Sequence, residues 1–476
     1  MKKQLIQLIV VFSGLLLALA TAIFIGKNVL GDFTLPMAVA GILFAILTVV
    51  VLRRPFLGVC LLLFFLSYTW FPSVDLGGIT VRIDQILILV ATFSWLGDGF
   101  LRGRLSLQKD PLFPFLFLYL AFILSSYTWA LNQSRAGMVL IFVLLVVLAY
   151  ELMIQTISDK QKLTIAINYL LWGGLVVSLF GLWQFLGGGV GLPSSLTMLR
   201  SGYDNSVFGF PRVHAFSIEP LYFADYLFIP LFLGLSLFFT RQEKIKRGWL
   251  IVLLLAGSIS FVLTLSRGAY LGFIVACLVL LLLIPRKILT LTNIIVFSSS
   301  IFVIIMLVVG VFRIIGPEYL DRFVSHALVS DLQAGESTQG RLTEYQRSLN
   351  VWHEYYWFGA GIGNYGPAAA SNPFFTPDDG WPIVNNQYLE TLAETGVIGF
   401  ILLVGFWLAV IIRGIIAFVK SRNWYLKSVL AGLLAAFAGV LVQYNFFSTI
   451  YIVHIWILVG LLVAVENIVI YRTIKI

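Results

Sequence analysis

Residues 385–400 read NNQYLETLAETGVIGF and join the longest polar stretch of the chain to an apolar run. The polar stretch, residues 313–396, is rich in Arg, Trp, Tyr and Glu, and residues 397–416 after it are almost entirely apolar. Such an apolar run is long enough to cross a bilayer, and a long loop between such runs is typical of a functional site. The sequence therefore predicts membrane chemistry in or beside residues 313–396.

The composition of the whole chain indicates the same class of protein. Of its 476 residues, 60% are hydrophobic and only 11% are charged. So apolar a chain cannot bury its side chains within a water-soluble domain, and backbone polar groups in lipid require helices or closed barrels. We therefore predict an all-α polytopic membrane protein, with no nucleic acid among its partners.

Apolar runs divide the chain into predicted spans. Requiring roughly 17 to 25 mostly apolar residues per crossing predicts a bundle of about 12 to 14 transmembrane helices. The spans are 4–25, 35–52, 56–71, 83–100, 112–131, 136–154, 163–186, 221–239, 248–265, 268–284, 292–312, 397–416, 427–446 and 450–470. The first is interpreted as a retained span, because it is longer than the apolar region of a signal peptide. Three regions result: a bundle at 1–312 with an outer loop at 187–220, a large, partly helical outer loop at 313–396, and C-terminal helices at 397–476.

Basic residues predict the orientation, because short cytoplasmic loops retain Lys and Arg. Most of the 31 basic residues fall on one side, which places both termini in the cytoplasm and residues 313–396 outside. The outer side carries Lys27 and nine arginines: Arg82, Arg135, Arg200, Arg212, Arg267, Arg313, Arg322, Arg341 and Arg347. A guanidinium forms bidentate hydrogen bonds to phosphate, so this bias predicts an anionic head group at the outer surface. For single arginines, pairing with lipid phosphates or acidic side chains is the alternative.

Three of these arginines occupy informative positions. Arg267 lies at the junction of two spans with almost no loop between them, where a charge is usually functional. Arg212 lies in the outer loop just before a span, and Arg341 opens an amphipathic stretch that runs to Trp352. The two cysteines, Cys60 and Cys277, lie inside apolar runs, so we expect no disulfide, no metal site and no cofactor.

Short motifs follow one another in a recognisable order. They are Arg212 with Glu219-Pro220, Thr264-Leu265-Ser266-Arg267-Gly268, Gly340-Arg341, Trp352 leading to Gly359-Ala360-Gly361-Ile362-Gly363-Asn364-Tyr365, and Asn386-Gln387-Tyr388-Leu389-Glu390 with Glu394-Thr395-Gly396 and Gly399. In order, spacing and shared outer location they resemble the O-antigen ligase and Wzy-type polysaccharide polymerase superfamily of bacterial envelope glycosyltransferases.

This resemblance implies a GT-C-like bundle in the bacterial inner membrane, with the active site on its outer face. It implies transfer of a glycan from an undecaprenyl-diphosphate-linked oligosaccharide to a hydroxyl, with inversion and without a metal. The other partners are membrane lipids and a chain-length regulator protein. The grip on the donor diphosphate maps onto Arg212 and Arg267, and Arg341 matches a third motif position with a less defined role.

One departure from the family pattern bears on the reaction. Ligase members commonly carry His where this chain has Asn385, and an amide cannot act as a general base. We therefore predict a polysaccharide polymerase that transfers to a lipid-linked acceptor glycan, with an O-antigen-type ligase acting on lipid A core or protein as the alternative. A lipid-linked glycan flippase is a further alternative, although no internal repeat supports it, and a non-enzymatic envelope scaffold would not need Arg267.

The base has to come from another residue, and Glu219 is the first candidate. A carboxylate at the outer mouth of a span can lie in a partly dry pocket, where its affinity for a proton rises. The alternative is a helix N-terminal charge, which Pro220 at the first helical position also favours. Glu390, for which a structural ion pair is the alternative, and His214 follow as candidate bases.

We predict the catalytic residues Glu219, Arg267 and Arg212, and the substrate-binding residues Arg341, Tyr388, Asn385, Asn386, Glu390 and His214. Asn385 is expected to orient the acceptor hydroxyl, and Tyr388 to donate to a phosphate. An interfacial anchor is the alternative for Tyr388, because tyrosine is enriched where membrane meets water.

Overall fold

The computed structural model describes most of the chain beyond residue 47. The described residues are 48–71, 73–75, 80–101, 103, 107–203, 211–241, 247–295, 298–299, 302, 305–306, 309–310, 336–377 and 380–471. The predicted span 4–25, most of 35–52, much of 292–312 and the loop residues 313–335 lie outside the described residues.

The described elements are almost all α-helical. The helices are α1 (Pro55–Phe64), α2 (Ile83–Leu101), α3 (Phe113–Ser125), α4 (Gln133–Thr156), α5 (Lys160–Gly189), α6 (Ser194–Thr197), α7 (Pro220–Thr240), α8 (Arg247–Val262), α9 (Arg267–Leu283), α10 (Pro285–Ile288), α11 (Glu336–Glu354), α12 (Tyr365–Ala369), α13 (Gln387–Lys420), α14 (Trp424–Gln443) and α15 (Val453–Ile470). A 3₁₀ turn follows α3, and β1 (Ser73–Asp75) pairs antiparallel with β2 (Thr80–Arg82), with Val74 opposite Val81.

Within the described part of the chain, seven helices are long and apolar enough to cross a membrane. They are α2, α4, α5, α7, α13, α14 and α15, and α1, α3, α8 and α9 are shorter apolar helices. The predicted fold class, an all-α polytopic membrane protein, is thereby confirmed. The count of 12 to 14 spans, the three-region division and the orientation stay predictions.

The core of the bundle is formed by α7, α14 and α15. Nearly every side chain of α15 is buried, and this helix is hydrophobic on all sides, as expected for a helix surrounded by others. Helix α9 packs closely on α14. The approach is so close that a Cβ atom at Gly272 would lie 2.7 Å from the carbonyl oxygen of Gly439. Gly268 and Gly272 are four residues apart, a spacing that lets membrane helices approach closely.

Helix α13 contains a kink at Gly396. Its first turns run from Gln387, ten residues before the predicted span 397–416, and the kink lies where Gly396 adopts φ 63° and ψ −168°. Backbone positions with positive φ favour glycine, because a Cβ atom strains that conformation. Residues 387–400 of the NNQYLETLAETGVIGF stretch thus belong to α13, and the chain changes direction at Gly396.

Several helices begin at one end of the bundle, which we call the site end. They include α7 after Glu219, α9 after Ser266, α13 after Asn386 and α15 after Ile452. The N-terminus of a helix carries partial positive charge and unpaired N–H groups. The helix N-termini at the site end therefore favour the binding of anions, independently of the side chains there.

Candidate functional site

A cavity of about 290 Å³ opens at the site end between α2, α4, α7 and α15. Its polar lining consists of Thr69, Arg82, Asp84, Gln85, Ser217, Glu219, Tyr222, Thr449, Tyr451 and His454. We call it the main cavity. It combines a predicted catalytic residue, Glu219, with several groups that the sequence did not single out.

Glu219 lies at the entrance of α7, where Pro220 occupies the first helical position. Within the described chain, its side chain forms no capping hydrogen bond to α7. Burial raises the pKa of the Glu219 carboxyl, and the guanidinium groups of Arg200 and Arg212 oppose that rise. The carboxylate therefore faces the main cavity between two cations, and does not serve as a side-chain cap.

Arg212 is held against the turn that precedes α9. Its Nε–H donates to the carbonyl oxygen of Thr264 at 3.2 Å, and the backbone N–H of Val213 donates to the carbonyl oxygen of Leu263 at 3.2 Å. Burial lowers the pKa of the Arg212 guanidinium, and Tyr203 opposes that change. The Arg212 guanidinium thus lies in a partly desolvated environment.

Arg341 and Arg267 approach the same region from two further helices. Arg341 lies on α11 near enough to Arg212 for mutual repulsion to act on the pKa of Arg212. Arg267 is the first residue of α9 and lies three positions after Thr264, the residue that accepts from Arg212. The structure therefore brings Arg212, Arg267 and Arg341 to one end of the bundle; their roles in the site stay a prediction.

His214 has both ring nitrogens occupied. Nδ1 lies 3.0 Å from the carbonyl oxygen of Ser217, and Nε2 accepts from the backbone N–H of Arg200 at 3.3 Å. Burial lowers the pKa of His214 to about 4, so the ring is neutral near pH 7. This geometry makes His214 a support for Arg200, although the sequence placed it among the substrate-binding residues.

Arg200 was not among the predicted site residues, although it lies beside Glu219 in the structure. Its Nη1–H donates to the carbonyl oxygen of Ile218, and its guanidinium lies 5.7 Å from the ring centre of Trp70. It also contributes more than Arg212 to holding down the pKa of Glu219. In the sequence, the signal for Arg200 was its place among the nine predicted outer arginines. It was not selected because it lies outside the quoted motifs.

The predicted residues at the start of α13 contact other parts of the protein. Asn386 caps α13, and its Oδ1 accepts from the N–H groups of Tyr388 and Leu389 at 3.0 and 3.1 Å. The Tyr388 hydroxyl donates to the carbonyl oxygen of Leu441 at 2.7 Å. Asn385, at φ 56°, donates its backbone N–H to Ser448 Oγ at 3.1 Å. These contacts fix the start of α13 against the last turn of α14 and the segment between α14 and α15.

Glu390 lines a second, much smaller cavity of about 30 Å³ with Arg135 and Glu394. Glu390 Oε2 accepts from the backbone N–H of Val384 at 3.3 Å, and Glu394 Oε1 accepts from that of Tyr365 at 3.1 Å. Both carboxylates thus fasten loop backbone to α13. Tyr451 lines this cavity and the main cavity, so its side chain stands between them.

Residues 336–396 cover the site end and are fastened at several points. The Tyr345 hydroxyl donates to the carbonyl oxygen of Asn445 at 2.8 Å, and the Tyr365 hydroxyl donates to Glu344 Oε2 at 2.6 Å. A Cβ atom at Gly359 would lie 2.2 Å from the backbone of Glu394, and one at Gly396 would lie 2.3 Å from Trp357. Glycine at these two positions lets the cover touch α13 backbone to backbone.

Two buried polar residues of the main cavity were not predicted at all. His454, for which the sequence gave no role, lines the cavity and lies 2.8 Å from the buried Asp225. Asp84 is 1% exposed and lines it as well. Each lies inside an apolar segment, and an ionisable residue there is itself a functional signal. Within the described ranges, no group of three His, Cys, Asp or Glu side chains is placed to hold a metal ion.

Comparison with known proteins adds one match. The family model described as O-antigen ligase matches residues 250–404. The matched segment contains Arg267, Arg341 and the start of α13, whereas Arg212 and Glu219 precede it. No curated protein matches the chain.

Proposed function

We propose that this chain is a polysaccharide polymerase of the O-antigen ligase-related superfamily, whose family model matches residues 250–404. In this proposal it transfers a glycan from an undecaprenyl-diphosphate-linked donor to a hydroxyl of a lipid-linked acceptor glycan. The family match supports a membrane glycosyltransferase in general. The donor, the acceptor and the inverting, metal-independent course are our inference.

The observation that carries the proposal is the meeting of Arg200, Arg212 and Arg341 beside Glu219 at the site end. Arg212 lies within electrostatic range of Glu219 and Arg341, and Glu219 lies within range of Arg200 as well. Like charges gathered in a partly buried place repel, so they are retained where an anion neutralises them. A lipid diphosphate carries charge of the required sign, and guanidinium groups match phosphate oxygens in pairs.

The leaving group is the diphosphate, on which negative charge develops as the glycosidic bond breaks. Arg212, Arg267 and Arg341, with Arg200, are placed to stabilise that charge together with the N-termini of α7 and α9. A fixed array of donors is more effective here than water, because it needs no reorganisation during the reaction. We propose that this array is the main source of catalysis.

Glu219 is the proposed proton acceptor. The acceptor oxygen attacks the anomeric carbon from the side opposite the diphosphate, its proton passes to Glu219, and the electron pair of the broken C–O bond stays on the diphosphate. Burial raises the pKa of Glu219 and so strengthens it as a base, while the adjacent arginines oppose that rise. Glu390 is a weaker candidate because it fastens loop backbone beside the second cavity.

We further propose that the site end faces outward from the bacterial inner membrane and that both termini are cytoplasmic. The arginine bias of the predicted outer loops supports this orientation. An O-antigen-type ligase is the alternative. Asn385, where ligases commonly carry His, favours the polymerase, since its amide can orient a hydroxyl but cannot take its proton.

The deciding experiment is reconstitution of the purified protein in lipid nanodiscs with the native lipid-linked repeat unit. Polymer ladders with release of undecaprenyl diphosphate are expected without added metal. Transfer only to lipid A core or protein would establish the ligase instead. Movement of the intact lipid-linked glycan across a vesicle membrane, with no new glycosidic bond, would overturn the glycosyltransferase proposal.

A further inference from the structure

Two residues of the main cavity lining, His454 and Asp84, lie near a second acidic residue, Asp225, which hydrogen-bonds to His454 without lining the cavity. His454 is 2% exposed, and its Nε2 lies 2.8 Å from Oδ2 of Asp225, which is fully buried. Asp84 is 1% exposed, lines the cavity beside His454 and lies within electrostatic range of it. We call Asp84, Asp225 and His454 the floor cluster.

The hydrogen bond to Asp225 determines what His454 can offer to a ligand. A carboxylate only accepts hydrogen bonds, so Nε2 carries the ring proton and donates it. When the ring carries this single proton, Nδ1 is an acceptor. Within the described residues, the second oxygen of Asp225, Oδ1, has no hydrogen-bond partner. A buried and incompletely satisfied pair is costly, which indicates that it serves a function.

The wall around this floor is rich in acceptors. Asp84 and Glu219 contribute carboxylates, and His454 contributes an acceptor nitrogen. Arg82 is the cation of this lining, and Asp84 lies close enough to oppose its charge. A phosphate offers acceptor oxygens and negative charge, so such a wall disfavours it. A ligand with many O–H donors and no negative charge can satisfy these groups.

Aromatic rings complete the lining. Phe142 and Tyr451 both line the cavity and stack with ring centres 5.4 Å apart. The Tyr222 hydroxyl lies 3.1 Å from Thr449 Oγ1, which keeps a third ring in place. Apolar faces combined with a few fixed polar groups are typical of small-molecule sites, and a volume of about 290 Å³ suits one small ring.

We propose that the main cavity is the subsite for an uncharged sugar of the acceptor glycan, with its hydroxyl groups on Asp84 and His454 Nδ1. This inference rests on the proposed function and names the acceptor half of the site. The arginine half, around Arg200 and Arg212, takes the diphosphate. Glu219 lines the cavity and lies beside both arginines, at the boundary where the acceptor hydroxyl meets the donor sugar.

Two variants test the floor cluster with little change of volume. Asp84→Asn removes a carboxylate from the wall. Asp225→Asn replaces no residue of the cavity lining, but its amide can donate to His454 Nε2, so the ring proton moves to Nδ1 and an acceptor becomes a donor. Asp110→Asn is the matched control, because Asp110 accepts from Tyr150 at 2.8 Å and lies outside the main cavity.

The measurement is calorimetric binding of two probes to the full-length protein in nanodiscs. One probe is the native oligosaccharide freed from its lipid by mild acid, and the other is inorganic pyrophosphate. We expect both floor variants to weaken oligosaccharide binding about tenfold each, the loss of one hydrogen bond, and to change pyrophosphate binding less than twofold. Asp110→Asn should match the wild type for both probes.

Three results would overturn the subsite. The first is unchanged oligosaccharide binding in both floor variants. The second is an equal loss of binding of both probes in both variants, which indicates a structural role. The third is displacement of the bound oligosaccharide by pyrophosphate. Binding needs no turnover, so the two proposals can fail separately. A wild type that binds the sugar but transfers nothing overturns the proposed function alone, and one that transfers while both floor variants bind normally overturns the subsite alone.

Discussion

The Nε–H of Arg212 donates to the carbonyl oxygen of Thr264 at 3.2 Å and ties the loop before α7 to the turn before α9. These two segments are more than fifty residues apart in sequence. Each carries one of the arginines assigned to the diphosphate, and each opens a helix whose N-terminus lies at the site end. One contact thus aligns two side chains and two helix dipoles towards the same place.

Arg212→Ala and Arg267→Ala are each expected to lower glycan transfer by on the order of 100-fold to 1000-fold, because each removes a donor to the departing diphosphate. Reconstituted transfer assays measure this directly. Arg347→Ala is the matched control, since Arg347 is exposed and pairs with Glu344 at 2.8 Å on the same cover. Normal polymer ladders from both test variants, with normal membrane insertion, would refute the assignment.

The pH dependence of transfer tests Glu219. A base must be ionised, so the rate should rise with pH through the pKa of Glu219, which burial raises. Arg200→Gln removes a charge that holds this pKa down, so the acid limb should move to higher pH by on the order of one unit. Glu219→Gln should abolish the limb and most of the activity. Unchanged turnover in Glu219→Gln would remove this carboxylate from the mechanism.

The buried His214 predicts a loss of stability in acid. Its pKa falls from 6.5 to about 4 on folding, so between these values the unfolded chain binds more protons than the folded one. The free energy of unfolding therefore decreases as pH falls from about 6.5 to about 4, by roughly 3 kcal/mol at most. Thermal unfolding across this range should show the decrease, and His214→Gln should flatten it. A pH dependence that is identical in the variant would contradict the buried neutral ring.

Gly396 gives a test of the cover. Gly396→Ala places a Cβ atom 2.3 Å from the backbone of Trp357 at a positive φ, so we expect destabilisation of roughly 3 kcal/mol or more. Faster proteolysis of residues 336–396 should accompany it. Gly405→Ala is the control on the same helix, because no atom lies within 4 Å of an added Cβ there. Equal behaviour of the two variants would exclude a tight contact at Gly396.

The sequence predicted the fold class because long apolar runs leave few alternatives in a membrane. It also singled out Arg212, Arg267 and Arg341, since short motifs in fixed order place them at loop ends, and their shared role stays a prediction. It could not find Arg200, whose position depends on its contacts with His214 and Ile218.

Periodicity gave no hint of the Asp225–His454 contact either. The two residues are 229 positions apart and meet only because α7 and α15 pack against each other. The early start of α13 was missed for a different reason. The polar residues from Gln387 onwards suggested a loop, whereas in the structure they face the cover and fasten it.

The backbone contact that Gly359 and Gly396 permit also affects how a long product leaves. Its partners are the segment after α11 and the kink of α13, both part of the packed bundle. A cover fixed in this way cannot open and close as a lid at each round of synthesis. Under the proposed function, a growing polymer then has to move laterally beneath the cover, so we expect the width of that passage to limit the size of the repeat unit.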